Sequence, residues 1–423
     1  MKRLHFIDIV LLGFMFLCPS VVAAVEEETT SLSSLIEEAQ KNNPTLEALR
    51  LRQNGAKEEI TQATFWDDPQ LTVTQMGIPK DFNIGRSDET WVGVEQAFPY
   101  PGKQALKREI AAIDWEISQQ EYQVQQLTIM AEVKSAYYNL FLITKTIDLH
   151  QEHQILLNES IKITEKRYAI GQSTQQDILN AEVELAKLHN SLISLEQDLI
   201  ANKAKINALL NRSEDAPMGR PEPVVYRPFP FSYESLTKKR LSGQHELKIA
   251  LFRVEKSELI KTLTRKATLP DFMIGLSYLN IHGKTSPAGD EDQWMAMGKI
   301  NLPWAFSGKY DSKNRKAALD TNGARADYNA VKNETLSQIK TIFTKIKRDE
   351  QFIDSYQNKL IPLTKRLLAA AQIGYQSGKT DFLNFIESER TLLDMQIEYY
   401  MELTDYWQQV AWLSILIGKE INP

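Results

Sequence analysis

Arg167-Tyr168-Ala169-Ile170-Gly171, with Asp177-Ile178-Leu179 after it, aligns without a gap onto Gly374-Tyr375-Gln376-Ser377-Gly378 and Asn384-Phe385-Ile386, 207 residues further on. Upstream, Leu46 and Pro69 have counterparts in Leu247 and Pro270, and Pro99 and Gly102 correspond to Pro303 and Gly308 with small length changes. Self-similarity at this spacing predicts two copies of one unit, near residues 31–211 and 233–418. Counted from the mature end, the first repeat is 25–211 and the second 233–418. A Pro-rich connector (212–232) joins them and a short tail (419–423) follows.

Working outward from Gly171, helix breakers are sparse. No proline occurs between Gly102 and Pro217, and Gly171 is the sole glycine in that interval. This predicts two helices joined at Gly171. The outgoing arm, Gln104 to Tyr168, would be about 97 Å long at 1.5 Å per residue, and the return arm runs from Ser173 to Asn211. Apolar residues step by threes and fours along both arms: Ile110, Ile113, Ile117 and Val124 on the first, Ala181, Leu185, Leu188 and Leu192 on the second. That spacing is a coiled-coil seam. Helical hairpins are therefore expected over 104–211 and 311–418, each with an outgoing arm of about 64 residues and a return arm of about 40. Shorter helices, Thr45–Phe65 and Gln244–Lys266, open the units. Opening and return helices together match the long arm, so they are expected to stack end to end along it and cover its apolar stripe.

Two β-hairpins, 71–98 and 271–302, complete the units. Val92, Val94 and Phe98 alternate with Gly93, Glu95 and Ala97, and Phe272, Ile274, Leu276 and Tyr278 alternate with Met273, Gly275 and Ser277. Strands of this length and period suit an outer membrane, and equally a soluble hairpin packed on helices. Four strands cannot close a membrane barrel, which begins at about eight. Strands in lipid with open edges leave backbone groups unsatisfied, so several chains must share one barrel.

Composition narrows the classes. The chain has 423 residues, Lys+Arg 49 against Asp+Glu 55, net charge -6 and one cysteine. Mild acidity argues against a nucleic-acid partner, and a single cysteine excludes an internal disulfide. Lys2 and Arg3, the apolar Ile9 to Leu17 and the small Val22-Ala23-Ala24 read as a signal peptide (1–24) cleaved after Ala24. Lipidation at Cys18 is the alternative processing, although Leu17 is large for the position before a lipidated cysteine.

With these features assembled, the chain resembles the TolC family of outer-membrane efflux channels across nearly its whole mature length. Phe98-Pro99-Tyr100-Pro101-Gly102-Lys103 paired with Leu302-Pro303-Trp304-Ala305-Phe306-Ser307-Gly308-Lys309 carries the resemblance, and the first form is most like the heavy-metal branch, the cobalt-zinc-cadmium and copper-silver resistance channels. The resemblance implies a mainly α fold with a small β part: long antiparallel coiled-coil hairpins plus four transmembrane strands per chain. It implies a homotrimer with a 12-stranded β-barrel and a periplasmic α-barrel. It further implies an outer-membrane location in a Gram-negative bacterium, and passive export of substrate (heavy-metal cations first) from an inner-membrane pump of the resistance-nodulation-division type through a periplasmic adaptor. The competing class is a periplasmic coiled-coil adaptor that never enters lipid.

Under the resemblance, the turns are periplasmic tips, and Tyr168, Gly171, Ser173, Tyr375, Gly378 and Thr380 are candidate adaptor contacts. Glycine there permits the left-handed backbone that ends a helix. Ser173 or Thr174, and Thr380 or Asp381, are candidate caps of the returning helices. Family members carry acids six and nine positions after the second turn glycine, where this chain has Asn384 and Glu387, so the first departs from the pattern and nearby Asp381 is a substitute. A ring of such acids would favour cations in a narrow entrance. The ordinary role of a helix glutamate is a solvated ion pair, here Glu387 with Arg390.

Other constellations point to simpler roles. His150-Gln151-Glu152-His153 reads as a solvated surface pair rather than a zinc site, and Met295-Ala296-Met297 as packing against lipid or a neighbour. No phosphate loop, nucleophile elbow or paired-carboxylate motif occurs, so no enzyme and no cofactor are expected.

Overall fold

The structure, a computed structural model, describes residues 29–240, 243–281 and 291–421. The leader with Cys18 and Ala24, the middle of the second hairpin loop and residues 422–423 lie outside the described residues.

Strand β1 (Thr29–Thr30) leads into α1 (Leu32–Asn42), which begins where Ser31 accepts a hydrogen bond from the Ser34 N–H. Helix α2 (Pro44–Gln62) follows at once: Asn43 accepts from the N–H groups of Thr45 and Leu46, and Pro44 fits the first turn because no N–H is needed there. Strands β2 (Gln70–Met76) and β3 (Glu89–Phe98) form the first hairpin. Helix α3 (Lys103–Ala169) runs for 67 residues, about 100 Å, and α4 (Gln175–Leu209) returns for 35. After β4 (Arg220–Pro221), which pairs in parallel with β1, the order resumes with α5 (Tyr233–Arg240), α6 (His245–Lys266), β5 (Phe272–Ile281), β6 (Glu291–Ile300), α7 (Ser307–Ser355), α8 (Ile361–Gln376) and α9 (Phe382–Leu416).

The two hairpins merge into one antiparallel sheet of order β2-β3-β5-β6. Pairing of β3 with β5 runs from Phe98↔Phe272 to Glu89↔Ile281, and β2 and β6 are left as edges.

End-to-end stacking of the short helices is present in both halves. The Asn43 side chain at the start of α2 donates to the Leu209 carbonyl at the end of α4, 2.9 Å away. In the other half, Gly243 just before α6 abuts Gly418 just past the end of α9 so closely that a Cβ on Gly418 would meet the Gly243 carbonyl oxygen. Helix α3 thus has α2 and α4 laid along it, and it also packs on α6 and α9 of the second half. Seam residues are core: Ile117, Ala131, Tyr138 and Phe141 on α3, and Ala181, Leu188, Leu192 and Ile206 on α4 are all buried. Each fully buried aliphatic among them contributes about 1.5–3 kcal/mol. Seam polar residues are paired: Lys134 with Glu420 at 2.7 Å, and Asn202 with the Ala136 carbonyl at 2.9 Å.

Several expectations need correction. The return helices are 35 residues rather than about 40; caps at Thr174 and a left-handed Asn211 (φ 57) shorten α4 at both ends. The second outgoing arm is interrupted between α7 and α8 by a π-helical turn, Tyr356–Leu360. Pro362 lies just beyond it, and its missing N–H and ring bulk explain the widened turn. Gly308 is no structural counterpart of Gly102: Gly102 has φ 84 at the start of α3, whereas α7 already begins at Ser307 after a 3₁₀ turn. The connector is extended but not loose. Its backbone is bonded by side chains, as in Phe229 N–H to Glu350 at 2.7 Å and Tyr406 hydroxyl to the Arg227 carbonyl at 2.6 Å.

Candidate functional site

At the far end of the hairpins, both turns are built as their glycines require. Gly171 and Gly378 each have φ 74, a left-handed backbone in which a Cβ is strained. Thr174 and Asp177 form a reciprocal capping box at the start of α4, while Ser173 donates to Asp177 at 2.9 Å. Asp381 caps α9 by accepting from the Asn384 N–H at 3.0 Å. Thr380 reaches back toward the Ala371 carbonyl and fills the space beside Gly374.

The two equivalent tyrosines have different fates. Tyr168 is exposed, while Tyr375 is buried in a cluster with Leu157, Ala181, Phe382 and Phe385 that joins α3, α4, α8 and α9. The Tyr375 ring stacks on Phe385 (centroids 5.7 Å apart) and its hydroxyl shares a hydrogen bond with Thr164 at 2.9 Å. The Arg167 guanidinium lies 4.7 Å from the centre of the same ring and donates to the Tyr375 carbonyl. Arg167 and Thr164 therefore tie the first tip to the second, a link the repeat alignment passed over because Arg167 aligns with Gly374. A contact between two different units leaves no trace in the spacing of either.

Asp381, Asn384 and Glu387 are all exposed along one face of α9. Glu387 pairs with Arg390 at 2.8 Å, and its side chain remains 61% exposed, so the pair is weak and leaves the carboxylate open to solvent. Asp394 continues the face one heptad on. His153 is not a surface residue: it is buried, and His150 bonds its own helix at the Thr146 carbonyl. Among the described residues, no group of three or more His, Cys, Asp or Glu is placed to hold a metal.

The opposite end holds the sheet. Register places Leu71, Val94, Leu276 and Ala296 in one row, and Val73, Val92, Tyr278 and Trp294 in the next, all on one face. This face is apolar and open, with Leu71 70% and Ile274 62% exposed. Thr72, Gly93, Glu95, Ser277, Gln293 and Lys299 share the other face, where Lys299 bonds Glu95 at 2.9 Å. Met295 and Met297 lie on this second face too, together with Trp91, Met273 and Leu279. No helix among the described residues is long and apolar enough to cross a membrane.

Between sheet and helices, the Phe-Pro-Tyr-Pro-Gly-Lys elbow closes on the second half. Asp271 accepts from the Tyr100 N–H at 2.7 Å and from the buried Lys103 ammonium at 2.8 Å, and Lys103 also reaches the Leu269 carbonyl.

Residues 35–212 and 236–419 match the family described as "Outer membrane efflux protein". The chain belongs to that family. It is an outer-membrane efflux channel and not an enzyme; the soluble-adaptor reading is set aside. The channel is 19% identical over 328 residues to the cobalt-zinc-cadmium resistance protein CzcC of Cupriavidus metallidurans, covering 75% of this chain and 74% of CzcC. Its fold matches the outer-membrane channel OprN with a TM-score of 0.78 at 17% identity, over 92% of this chain and 89% of OprN. It also matches the outer membrane protein VceC of Vibrio cholerae, with a TM-score of 0.76 at 19% identity, over 92% of this chain and 97% of VceC.

Proposed function

We propose that three copies of the channel close a single 12-stranded barrel, and that a tunnel through it continues between their helical hairpins. The observation that carries this is the open four-stranded sheet, with one apolar exposed face and an opposite face of mixed character that holds the Glu95–Lys299 pair. In lipid, the unpaired groups of β2 and β6 demand partners, which identical copies supply edge to edge. The apolar rows then face lipid and the Glu95–Lys299 face lines the water-filled lumen.

The tips form the periplasmic entrance and adaptor-docking end. Exposed Tyr168, Gly171 and Gly378, with Ser173 and Thr380 behind them, offer the contact surface, and Tyr375 holds that surface in place from beneath. Asp381 and Glu387, flanking the neutral Asn384, ring the entrance with carboxylates. With the leader removed after Ala24, repeats 25–211 and 233–418 are joined by the connector 212–232 and followed by the tail 419–423. Likeness to a cobalt-zinc-cadmium resistance protein supports divalent metal cations as cargo, delivered by a pump of the resistance-nodulation-division type through its adaptor.

Imaging of detergent-solubilised outer-membrane particles tests the assembly. Threefold particles with a central hollow are expected; solid monomers, or recovery of the chain in a detergent-free periplasmic extract, would overturn it.

A further inference from the structure

A cavity of about 40 Å³ lies between α3, α8 and α9, walled by Leu149, Leu156, Leu368, Leu392 and Leu393. Three titratable side chains line it, the buried His153 and the exposed Glu152 from α3 and the buried Glu389 from α9. Glu389 is 4% exposed and His153 7%. The Glu389 Oε2 atom has no hydrogen-bond partner. Ser160 is a polar neighbour, but its single hydroxyl proton serves the Leu156 carbonyl at 2.9 Å.

Other charges leave Glu389 alone. Helix α8 faces the cavity with Leu368, and α9 adds the neutral Gln396. From α3, Glu152 lies on the rim, and His150 acts on His153 together with Glu184 of α4. The cavity therefore suits a protonated carboxyl and a neutral imidazole, since an unpaired charge there is costly.

We propose that this cavity is a proton-binding latch: uncharged Glu389 and His153 hold the α3–α8/α9 seam shut, so that deprotonation of Glu389 or protonation of His153 favours opening. The proposal rests on the reading of the hairpin tips as the entrance, because the same helices are joined there by Arg167 and Tyr375.

The signs follow from burial. Burial pushes the Glu389 carboxyl up to about 7, against the opposing Ser160 hydrogen bond. The shut seam thus holds the proton and loses stability as pH rises from the ordinary 4.5 toward 7. Burial pushes His153 down, partly offset by Glu184 and reinforced by His150. That contribution is lost as pH falls below the ordinary 6.5. The two responses oppose each other, and His153 damps the one set by Glu389.

Single-channel recordings of the full-length wild type, Glu389→Gln and His153→Gln between pH 5 and 8 test this. With His153→Gln, the open-to-shut ratio per protomer is expected to rise about fortyfold from pH 5 to 7. The wild type rises less, and Glu389→Gln reverses the slope, opening as pH falls. Identical pH profiles for the wild type and Glu389→Gln overturn the latch. If Glu389→Gln fails to assemble, a His153→Gln profile no steeper than that of the wild type overturns it equally. Glu387→Gln, recorded alongside, separates the two readings. If it leaves cation selectivity unchanged while Glu389→Gln and His153→Gln respond with opposite sign, the entrance reading fails and the proton site stands.

Discussion

Arg167 of the first helical hairpin covers the Tyr375 ring of the second at 4.7 Å and donates to the Tyr375 backbone carbonyl. One chain thereby locks its own two tips together, with the Thr164–Tyr375 hydroxyl pair at 2.9 Å buried behind the guanidinium. Any widening of an entrance at this end has to break that contact or carry both tips together.

Arg167→Ala is therefore expected to raise channel opening. Loss of a partly desolvated cation–π contact and charged hydrogen bonds is worth about 1–3 kcal/mol, hence about 5- to 150-fold in the open-to-shut ratio. Conductance in planar bilayers checks it, and unaltered traces would remove the contact from the closing mechanism.

Charge at the entrance separates into two roles. Glu387→Gln should lower cation selectivity with little change in stability, because its pair with Arg390 is solvent-exposed. Asp381→Ala should instead cost about 1 kcal/mol of helix stability through loss of the α9 cap. Asp381→Asn keeps a capping oxygen and removes only the charge, so reversal potentials for the pair Asp381→Asn and Asp381→Ala distinguish cap from selectivity.

Lys103→Met breaks the elbow. Its ammonium is buried and bonded to Asp271 and the Leu269 carbonyl, while Asp271 keeps a side-chain exposure of 40%. Partial solvation limits the penalty to about 1–3 kcal/mol. Thermal unfolding in detergent should show the drop, with Lys103→Met/Asp271→Asn less than additive.

The two faces of the sheet differ in their tolerance of charge. Leu276→Lys, on the exposed apolar face, should cost about 2–4 kcal/mol if that residue lies near the bilayer middle. Ser277→Lys on the neighbouring polar face should fold with little loss. Comparison of heat-modifiable, membrane-assembled protein for the two variants reads the difference. Equal assembly of both would contradict a lipid-facing surface.

The arms, their turn glycines, the strand segments and the end-to-end stacking of short helices were legible in residue order alone, because each rests on local periodicity or on length. Heptad spacing places Leu188 and Leu192 in the seam, and both are buried. The interruption before Pro362 had its signal in that proline. The inward role of Tyr375 did not, since Tyr168 occupies the same place in its own unit and is exposed. His153 differs from His150 in the same way: two histidines at helical spacing look alike in a string, yet His153 is buried against α9.

Sequence by itself thus determined the regular elements, since hydrophobic period, caps and breakers act over a few residues. Tertiary structure decided how the two halves meet: β3 against β5, Lys103 on Asp271, and Arg167 on Tyr375. Those pairs are far apart along the chain, and their energies come from burial and charge that exist only once α3 lies against the second half.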